Sequence, residues 1–198
     1  CAHESRTLHE IIPDMLKNSD NLASEIIGRS ALKKYNEGKN PVTFAGAVAE
    51  YFSGRFRSVN WDDFILKNAS GLSSEGRLTP LETIAVLMAL SKEYQPEDFL
   101  PMSGESGTLK SRLDSPDTAF KIFAKTGSIY YSSSLAGVVY GASGKRYIFA
   151  VFIDSREQRK SFDMKKVKDV NDSIIAEKWS KKASTGVDTF MNVIIQLL

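Results

Sequence analysis

Phe123-Ala124-Lys125-Thr126-Gly127-Ser128 is the stretch that decides the fold and the candidate site of this 198-residue chain. It ends a β-rich run by placing a lysine, two hydroxyls and a glycine together. Two near-continuous apolar runs follow, and the turn Ala142-Ser143-Gly144-Lys145 between them is typical of a hairpin. The sequence therefore predicts three antiparallel strands, at about 119–128, 133–142 and 146–154.

Helices surround these strands in the sequence. Apolar residues at helical spacing predict helices over 8–17, 22–38, 41–54, 80–92, 165–182 and 186–198. Thr79-Pro80-Leu81-Glu82 is the clearest start signal, with a capping box and a first-turn proline, and the helix it opens is apolar enough to be buried. Asn40-Pro41 predicts the start of the third helix. The order predicts one α+β domain, an antiparallel sheet flanked by helices.

Composition and charge exclude several classes of function. The chain is 42% apolar and 25% charged, and its net charge of +2 is spread without the basic stripe of a nucleic-acid reader. One cysteine, Cys1, excludes an internal disulfide and leaves the redox compartment open. No run is long enough for a membrane span, and the N-terminus lacks a signal peptide, so we expect any targeting segment to lie outside this sequence. His3 and His9 lack the partners of a metal site.

A second motif precedes Lys125-Thr126-Gly127 by about 100 residues, as the numbering shows. Ser19-Asp20-Asn21 lies on a predicted turn between two helices. Lys-Thr-Gly alone is a weak signal, but Ser-x-x-Lys, Ser-Asp-Asn and Lys-Thr-Gly together are the signature of class A β-lactamases and penicillin-binding proteins. The second and third elements are present in the right order.

The wider sequence resembles the D-alanyl-D-alanine carboxypeptidase/endopeptidase family typified by penicillin-binding protein 4, peptidase family S13. The segments that carry the resemblance are 5–25, 68–73, 104–112, 124–128 and 135–146. It implies a β-lactamase/transpeptidase-like fold. Residues 1–198 would then be the C-terminal portion of one penicillin-binding transpeptidase-like domain, with the N-terminal helix and strands missing. The family's sheet has five strands, so three strands predict an unpaired sheet edge and an exposed apolar face.

The resemblance implies three catalytic residues. Ser19 would relay a proton toward the leaving nitrogen, Asn21 would hold the substrate amide and the missing catalytic lysine, and Lys125 would place a positive charge near the substrate carboxylate. The residues alone leave a plainer reading open. Ser19 and Asn21 also suit helix caps, and Lys125 also suits a solvated charge at a strand end.

Three further residues would bind substrate. The hydroxyls of Thr126 and Ser128 would bond the carboxylate, and the Ser128 N–H would be one of two oxyanion donors. Gly127 would let the substrate strand lie close to the backbone. We expect Thr108 to order the loop before this strand rather than to contact the substrate directly.

The family's Ser-x-x-Lys nucleophile motif has no counterpart at the expected place. Ser30-Ala31-Leu32-Lys33 matches the motif by residue type, but Ser30 lies eleven residues beyond Ser19, in the predicted helix that Ser19 precedes. That spacing is roughly 16 Å at the rise of an α-helix, whereas a nucleophile and its proton-relay partner lie within about 3 Å. We therefore expect the nucleophile outside this sequence. The segment 52–57 also lacks the deacylating glutamate of class A β-lactamases.

The resemblance implies a periplasmic serine-type D-Ala-D-Ala carboxypeptidase, with endopeptidase activity as an option. It would act on peptidoglycan peptides ending in D-Ala-D-Ala through an acyl-enzyme, bind β-lactam antibiotics, and need no metal or cofactor. Its partners would be that peptide and the missing N-terminal part of the same protein, with no nucleic acid. Two alternatives stay open: a non-catalytic peptidoglycan-binding relative, and one piece of a split enzyme.

Overall fold

The computed structural model describes residues 4–198. Seven helices and three strands make up this part of the chain, with one short 3₁₀ turn at Gly107–Leu109. The elements in chain order are α1 (Leu8–Asn18), α2 (Asn21–Asn36), α3 (Phe44–Ser53), α4 (Pro80–Glu93), α5 (Pro96–Phe99), β1 (Ile122–Ile129), β2 (Ser132–Tyr140), β3 (Arg146–Asp154), α6 (Arg156–Met164) and α7 (Val170–Leu197).

The three strands form one antiparallel sheet in the order β1-β2-β3. In the register, Ile122 lies opposite Val139 and Ile129 lies opposite Ser132. The predicted three strands and the hairpin are therefore confirmed, with ends shifted by a few residues. β2 is the central strand, and its residues Leu135, Val138 and Val139 are fully buried.

Helices cover the two faces of the sheet. Side chains alternate along a strand, so Ile122, Leu135 and their cross-strand neighbours share one face, and they pack with Val187 and Met191 of α7. The helices α4 and α5 lie on the other face, where Arg146 of β3 donates to Glu97 of α5 at 2.7 Å. The result is a layered α+β domain, as the sequence predicts.

The start of α4 follows its sequence signals. Thr79 caps the helix by accepting from the Glu82 N–H at 3.2 Å, and the Glu82 carboxylate accepts from the Thr79 N–H at 2.6 Å. The prediction that α4 is buried is wrong in the described part of the chain, residues 4–198. Leu81 and Leu90 are 55% and 43% exposed, because α4 covers the sheet with one side only.

Two other helix predictions are also wrong. The C-terminal region is one helix, α7, of 28 residues rather than two helices, and the predicted break at 183–185 is absent. The polar helix α6 was not predicted at all, since Phe162 is its single buried residue. The third helix begins after Thr43, which caps it, and not at Asn40-Pro41.

Asn36 explains the later start of α3. Its side-chain amide donates to the carbonyl oxygen of Val42 at 3.2 Å, and its side-chain oxygen accepts from the Val42 N–H at 3.1 Å. Both backbone groups of Val42 are therefore satisfied outside a helix, and the segment 40–43 stays extended. The helical hydrogen bonds begin only with Ala47 donating to Thr43.

Candidate active site

The outer edge of β1 is covered at its beginning and open at its end. The Ala124 N–H donates to the Pro101 carbonyl oxygen, and the Ile122 carbonyl oxygen accepts from the Ser103 N–H, both at 2.9 Å. Backbone groups alternate between the two edges of a strand, so Thr126 and Ser128 face the same outer edge. No strand of residues 4–198 pairs with that edge. The open stretch is therefore free to bind an extended peptide.

The turn between α1 and α2 carries Ser19. α1 ends at Asn18, and Ser19 takes a left-handed conformation with φ +53°. Its N–H and that of Asp20 both donate to the carbonyl oxygen of Met15. Asp20 then caps α2 by accepting from the Ala23 N–H at 3.0 Å. The tight turn leaves the side chain of Ser19 at an exposed tip.

Lys125 brings the two motifs together. Its ammonium Nζ donates to Ser19 Oγ at 2.9 Å, although the two residues lie 106 positions apart. The same Nζ donates to the Thr126 carbonyl oxygen at 2.9 Å. The structure thus joins the Ser-Asp-Asn turn to the Lys-Thr-Gly strand, as the sequence predicts.

Burial lowers the pKa of Lys125, because removal from water disfavours the ammonium form. Among residues 4–198 no neighbouring carboxylate opposes this effect. A partly desolvated cation without a counter-ion, beside an open strand edge, is suited to binding an anion.

The 3₁₀ turn Gly107–Leu109 supports the site from behind. The hydroxyl of Thr126 donates to the hydroxyl of Thr108 at 2.9 Å. Gly107 has φ +54°, and a Cβ there would lie 2.5 Å from the carbonyl oxygen of Lys17 in α1. One short turn therefore contacts both the end of α1, just before Ser19, and the strand that carries Lys125.

The other predicted site residues make fewer contacts that would fix their positions. A Cβ at Gly127 would overlap the hydroxyl of Ser134 on β2, so part of the requirement for glycine comes from the neighbouring strand. The side chain of Ser128 is exposed. Asn21 is the exposed first residue of α2, and its side chain forms no hydrogen bond within the described chain. Its role in holding the substrate amide stays a prediction.

Comparisons with known proteins decide the family. The model of the D-Ala-D-Ala carboxypeptidase 3 (S13) family matches residues 1–178. The chain belongs to the S13 family. The predicted family is therefore confirmed.

Curated S13 relatives are much longer than this chain. Carboxypeptidase DacB of Mycolicibacterium smegmatis is 35% identical over 159 residues, covering 75% of this chain and 34% of the relative. D-alanyl-D-alanine carboxypeptidase DacB of Haemophilus influenzae is 30% identical over 159 residues, covering 77% and 33%. The chain thus spans about a third of the length of the curated relatives it matches, within their C-terminal part.

Solved structures share the fold of this S13 chain. Penicillin binding protein 4 (DacB) from Haemophilus influenzae superposes with a TM-score of 0.68 at 28% identity, covering 77% of this chain and 34% of that protein. Its complex with a β-lactam superposes at 0.66, with 28% identity over 77% and 36% of the two chains. A predatory endopeptidase from Bdellovibrio bacteriovorus, at 21% identity, covers 95% of this chain and 46% of its own with a TM-score of 0.61, a likeness of fold alone.

Helix α2 carries Ser30 and Lys33 away from the Ser19 turn. Both residues are exposed on α2, which runs without a break from Asn21 to Asn36. Ser30 therefore lies eleven residues along from Ser19, roughly 16 Å at an α-helical rise. This separation agrees with the sequence argument against Ser30 as a partner of Ser19.

A contact between α2 and the loop 68–71 was not predicted. The Glu25 carboxylate accepts from the Ser70 hydroxyl at 2.7 Å and from the Ser70 N–H at 3.0 Å. These hydrogen bonds, led by the hydroxyl, lower the pKa of Glu25. The sequence showed only that Ser70 lies in a hydroxyl-rich turn, and no local signal links it to a residue 45 positions away.

Residues 4–198 contain neither a metal-ion cluster nor a membrane-spanning helix. No group of three or more histidine, cysteine or acidic side chains is arranged to hold a metal ion. None of the described helices combines the length and apolar character that crossing a membrane requires.

Proposed function

We propose that this chain is the substrate-docking part of a serine-type D-Ala-D-Ala carboxypeptidase that works through an acyl-enzyme. The observation that carries the proposal is the 2.9 Å contact between Lys125 and Ser19, beside the open edge of β1. Membership of the S13 family supports the reaction, and the name of the β-lactam complex of penicillin binding protein 4 supports antibiotic binding.

Each proposed role follows from the contacts of the residue. The C-terminal carboxylate of the substrate binds at Lys125, whose charge is otherwise unpaired in the described chain. The acyl carbonyl oxygen accepts from the Ser128 N–H at the strand edge. Ser19 Oγ already accepts from Lys125, so its own proton is free to pass to the leaving nitrogen. The attacking serine and the second oxyanion donor come from outside this chain.

The direction of the bound peptide follows from these roles. Its carboxylate lies near Lys125 and Thr126, and its acyl carbonyl lies near Ser128. The substrate therefore runs antiparallel to β1, with its amino-terminal side toward Ile129. We also propose that the reaction takes place in the periplasm, because peptidoglycan peptides are the substrate class that D-Ala-D-Ala chemistry implies.

A binding experiment tests the docking role. The chain is titrated with an acetylated tripeptide ending in D-Ala-D-Ala, and its L-Ala-L-Ala stereoisomer is the reference ligand. We expect the D,D-peptide to bind better, and Lys125→Gln to weaken it at least tenfold, the size of a charge-assisted hydrogen bond. Lys182→Gln removes the same charge from an exposed position on α7 and is the matched control. An equal loss of affinity in both variants would contradict the assignment of Lys125 as the residue that binds the substrate carboxylate.

Fluorescent penicillin tests the origin of the nucleophile. This chain alone is expected not to form a covalent adduct, since none of its serines occupies the position of the S13 nucleophile. A labelled band that Ser30→Ala abolishes would contradict the assignment. Binding of the D,D-peptide without turnover by the longest form of the protein would favour the non-catalytic alternative.

A further inference from the structure

A cleft of about 720 Å³ lies at the end of β1. Ser128 and Ile129 of the strand line one part of it, helix α7 lines another, and Leu72, which directly follows the loop 68–71, lines a third. In the proposed orientation the amino-terminal side of the substrate runs toward Ile129. The residue before D-Ala-D-Ala therefore runs toward this cleft.

Leu72 gives the cleft an apolar side chain that is still 53% exposed. A ligand that contacts this side chain removes apolar surface from water, which favours binding. Leu72 belongs to no helix or strand, because it lies in the irregular segment between α3 and α4. Its position therefore depends on the contacts that hold the loop 68–71.

One face of α2 holds the loop 68–71. The Ser24 hydroxyl donates to the Ala69 carbonyl oxygen at 2.7 Å. The Glu25 carboxylate accepts from the hydroxyl and the N–H of Ser70, at 2.7 and 3.0 Å. One turn further along, Gly28 is buried, and a Cβ there would overlap the Cβ of Ala69. Residues three and four apart share a helix face, so these contacts form one continuous seam.

Glu25 makes the strongest contact in this seam. Both hydrogen bonds from Ser70 end on the same carboxylate oxygen, and a charged acceptor makes each of them stronger than a neutral pair. Without the carboxylate, the Ser24 hydroxyl is the remaining hydrogen-bond partner of this loop on α2 within residues 4–198. Ser70 lies only two positions before Leu72, so its release also frees Leu72 to move.

We propose that Glu25 is a positioning residue that, through Ser70, holds Leu72 in place for the residue that precedes D-Ala-D-Ala. The inference rests on the proposed function and adds a residue that determines specificity. Glu25 affects the part of the ligand that reaches the cleft and not the part bound at Lys125. An acetylated D-Ala-D-Ala dipeptide ends with its acetyl group near Ser128. A leucine placed before D-Ala-D-Ala reaches the cleft, so Glu25 affects the two ligands differently.

The experiment compares acetyl-D-Ala-D-Ala with acetyl-L-Leu-D-Ala-D-Ala as ligands of the 198-residue chain. NMR titration gives both dissociation constants, and their ratio measures the preference for the tripeptide. We expect the unaltered chain to prefer the tripeptide, and Glu25→Ala to weaken the tripeptide about tenfold and the dipeptide less than about twofold. Glu25→Gln keeps an oxygen that accepts from both donors of Ser70 and should retain most of the preference. Glu93→Ala makes the alanine substitution on the exposed end of α4 and is the matched control.

A double variant tests whether Glu25 acts through Leu72. Leu72→Ala should weaken the tripeptide at least as much as Glu25→Ala does. Adding Glu25→Ala to Leu72→Ala should cause no further loss, because the side chain that Glu25 positions is already gone. Additive losses would show that Glu25 acts by another route and would overturn the inference.

The outcomes separate the two proposals. If the unaltered chain binds neither peptide, the proposed function falls and this inference with it. If both bind, the inference alone is overturned by the absence of a tripeptide preference, by a preference that Glu25→Ala keeps, or by a loss as large in Glu25→Gln as in Glu25→Ala. Equal weakening of both peptides also overturns it, since that result marks a structural role.

Ser70→Ala decides if Glu25→Ala fails to fold, as a thermal melt would show. It removes the hydroxyl bond from the loop side and keeps the Ser70 N–H. We expect it to weaken the tripeptide at least about threefold more than the dipeptide, the size of one lost hydrogen bond. The same ratio as in the unaltered chain would overturn the role of Glu25.

Discussion

Lys125 is a half-buried residue that carries a charge. Its ammonium contacts only neutral oxygens, those of Ser19 and Thr126, and burial lowers its pKa. A neutral lysine could not attract a carboxylate, whereas an ammonium ion without a counter-ion gains more from one than a paired ion would. The site therefore binds its ligand best while the amine remains protonated, and ligand binding in turn favours the protonated form.

The pH dependence of binding follows from this linkage. Affinity for a D-Ala-D-Ala peptide should fall as the pH rises through the lowered pKa of Lys125, before the ordinary value of 10.5 is reached. The contribution of Lys125 to the free energy of unfolding changes with pH in the opposite direction. Between the folded and unfolded pKa values the unfolded chain binds more protons, so this group adds stability as the pH rises. Dissociation constants measured between neutral pH and pH 10.5 check the binding part.

Lys125→Arg is the control for that profile. Arginine stays protonated over the whole range, so its affinity should not fall with pH even if its absolute value differs from that of the unaltered chain. The same decline of affinity with pH in both proteins would show that a titrating group other than Lys125 is responsible.

The pairing of Ser19 with Lys125 was predictable because each residue belongs to a recognisable triplet. The hydrogen bond from Thr126 to Thr108 was not. Sequence reasoning placed Thr108 in a loop that orders the strand, but no spacing rule shows which hydroxyl it contacts. The direction of a hydrogen bond between two hydroxyls depends on the other partners of each group, and only the fold brings those partners together.

At the scale of elements, the loop between α5 and β1 holds the two halves of the site in register. Ser103 Oγ donates to the Thr118 carbonyl oxygen at 2.7 Å and accepts from the Ile122 N–H at 3.2 Å, which fixes the loop to the start of β1. The same loop rests on α1 through Gly107. A shift of this loop would therefore change the distance between the Ser19 turn and the Lys125 strand.

Gly107→Ala tests that contact. The left-handed φ costs an alanine about 1–2 kcal/mol, and its Cβ would also meet the Lys17 carbonyl oxygen at 2.5 Å. We expect a loss of about 2–4 kcal/mol in the free energy of unfolding, since the overlap adds a cost of the size seen on overpacking. Urea denaturation measures it.

Gly144→Ala supplies the comparison. Gly144 also has a positive φ, of +75°, but nothing lies within 4 Å of a Cβ built there. Only the conformational cost of about 1–2 kcal/mol remains for that variant. Equal losses in the free energy of unfolding of the two variants would show that the contact of Gly107 with α1 does not contribute to stability.

Helix boundaries were predictable where a local signal sets them and not elsewhere. Thr79 and Glu82 form the capping box that the sequence indicates. The break predicted at 183–185 is absent because α7 keeps a continuous buried face, and a Cβ built on Gly186 would lie 3.5 Å from the side chain of Ile153 on β3. Thr185 satisfies its hydroxyl on the carbonyl of Lys181 inside the helix. Packing against the sheet therefore keeps the helix continuous through this segment.

At the scale of the whole molecule, the sheet is well covered on its faces but not along β3. The pairing in β1 and β2 alternates so that the N–H and C=O groups of residues 148, 150 and 152 face the outer edge of β3. No strand within residues 4–198 pairs there. Ile148, Ala150 and Phe152 are also only partly buried. An apolar strand with a free edge is a template for another strand.

We therefore expect the 198-residue chain to self-associate through β3, and Ala150→Pro to suppress that association. A proline at this position loses an N–H that points outward, so the hydrogen bonds between β3 and β2 are kept. Val151→Pro is the matched control, because its N–H pairs with β2 and its loss should unfold the sheet. Sedimentation velocity measures association, and a thermal melt measures folding. A chain that is monomeric and melts cooperatively without the substitution would contradict the prediction, and so would association that Ala150→Pro leaves unchanged.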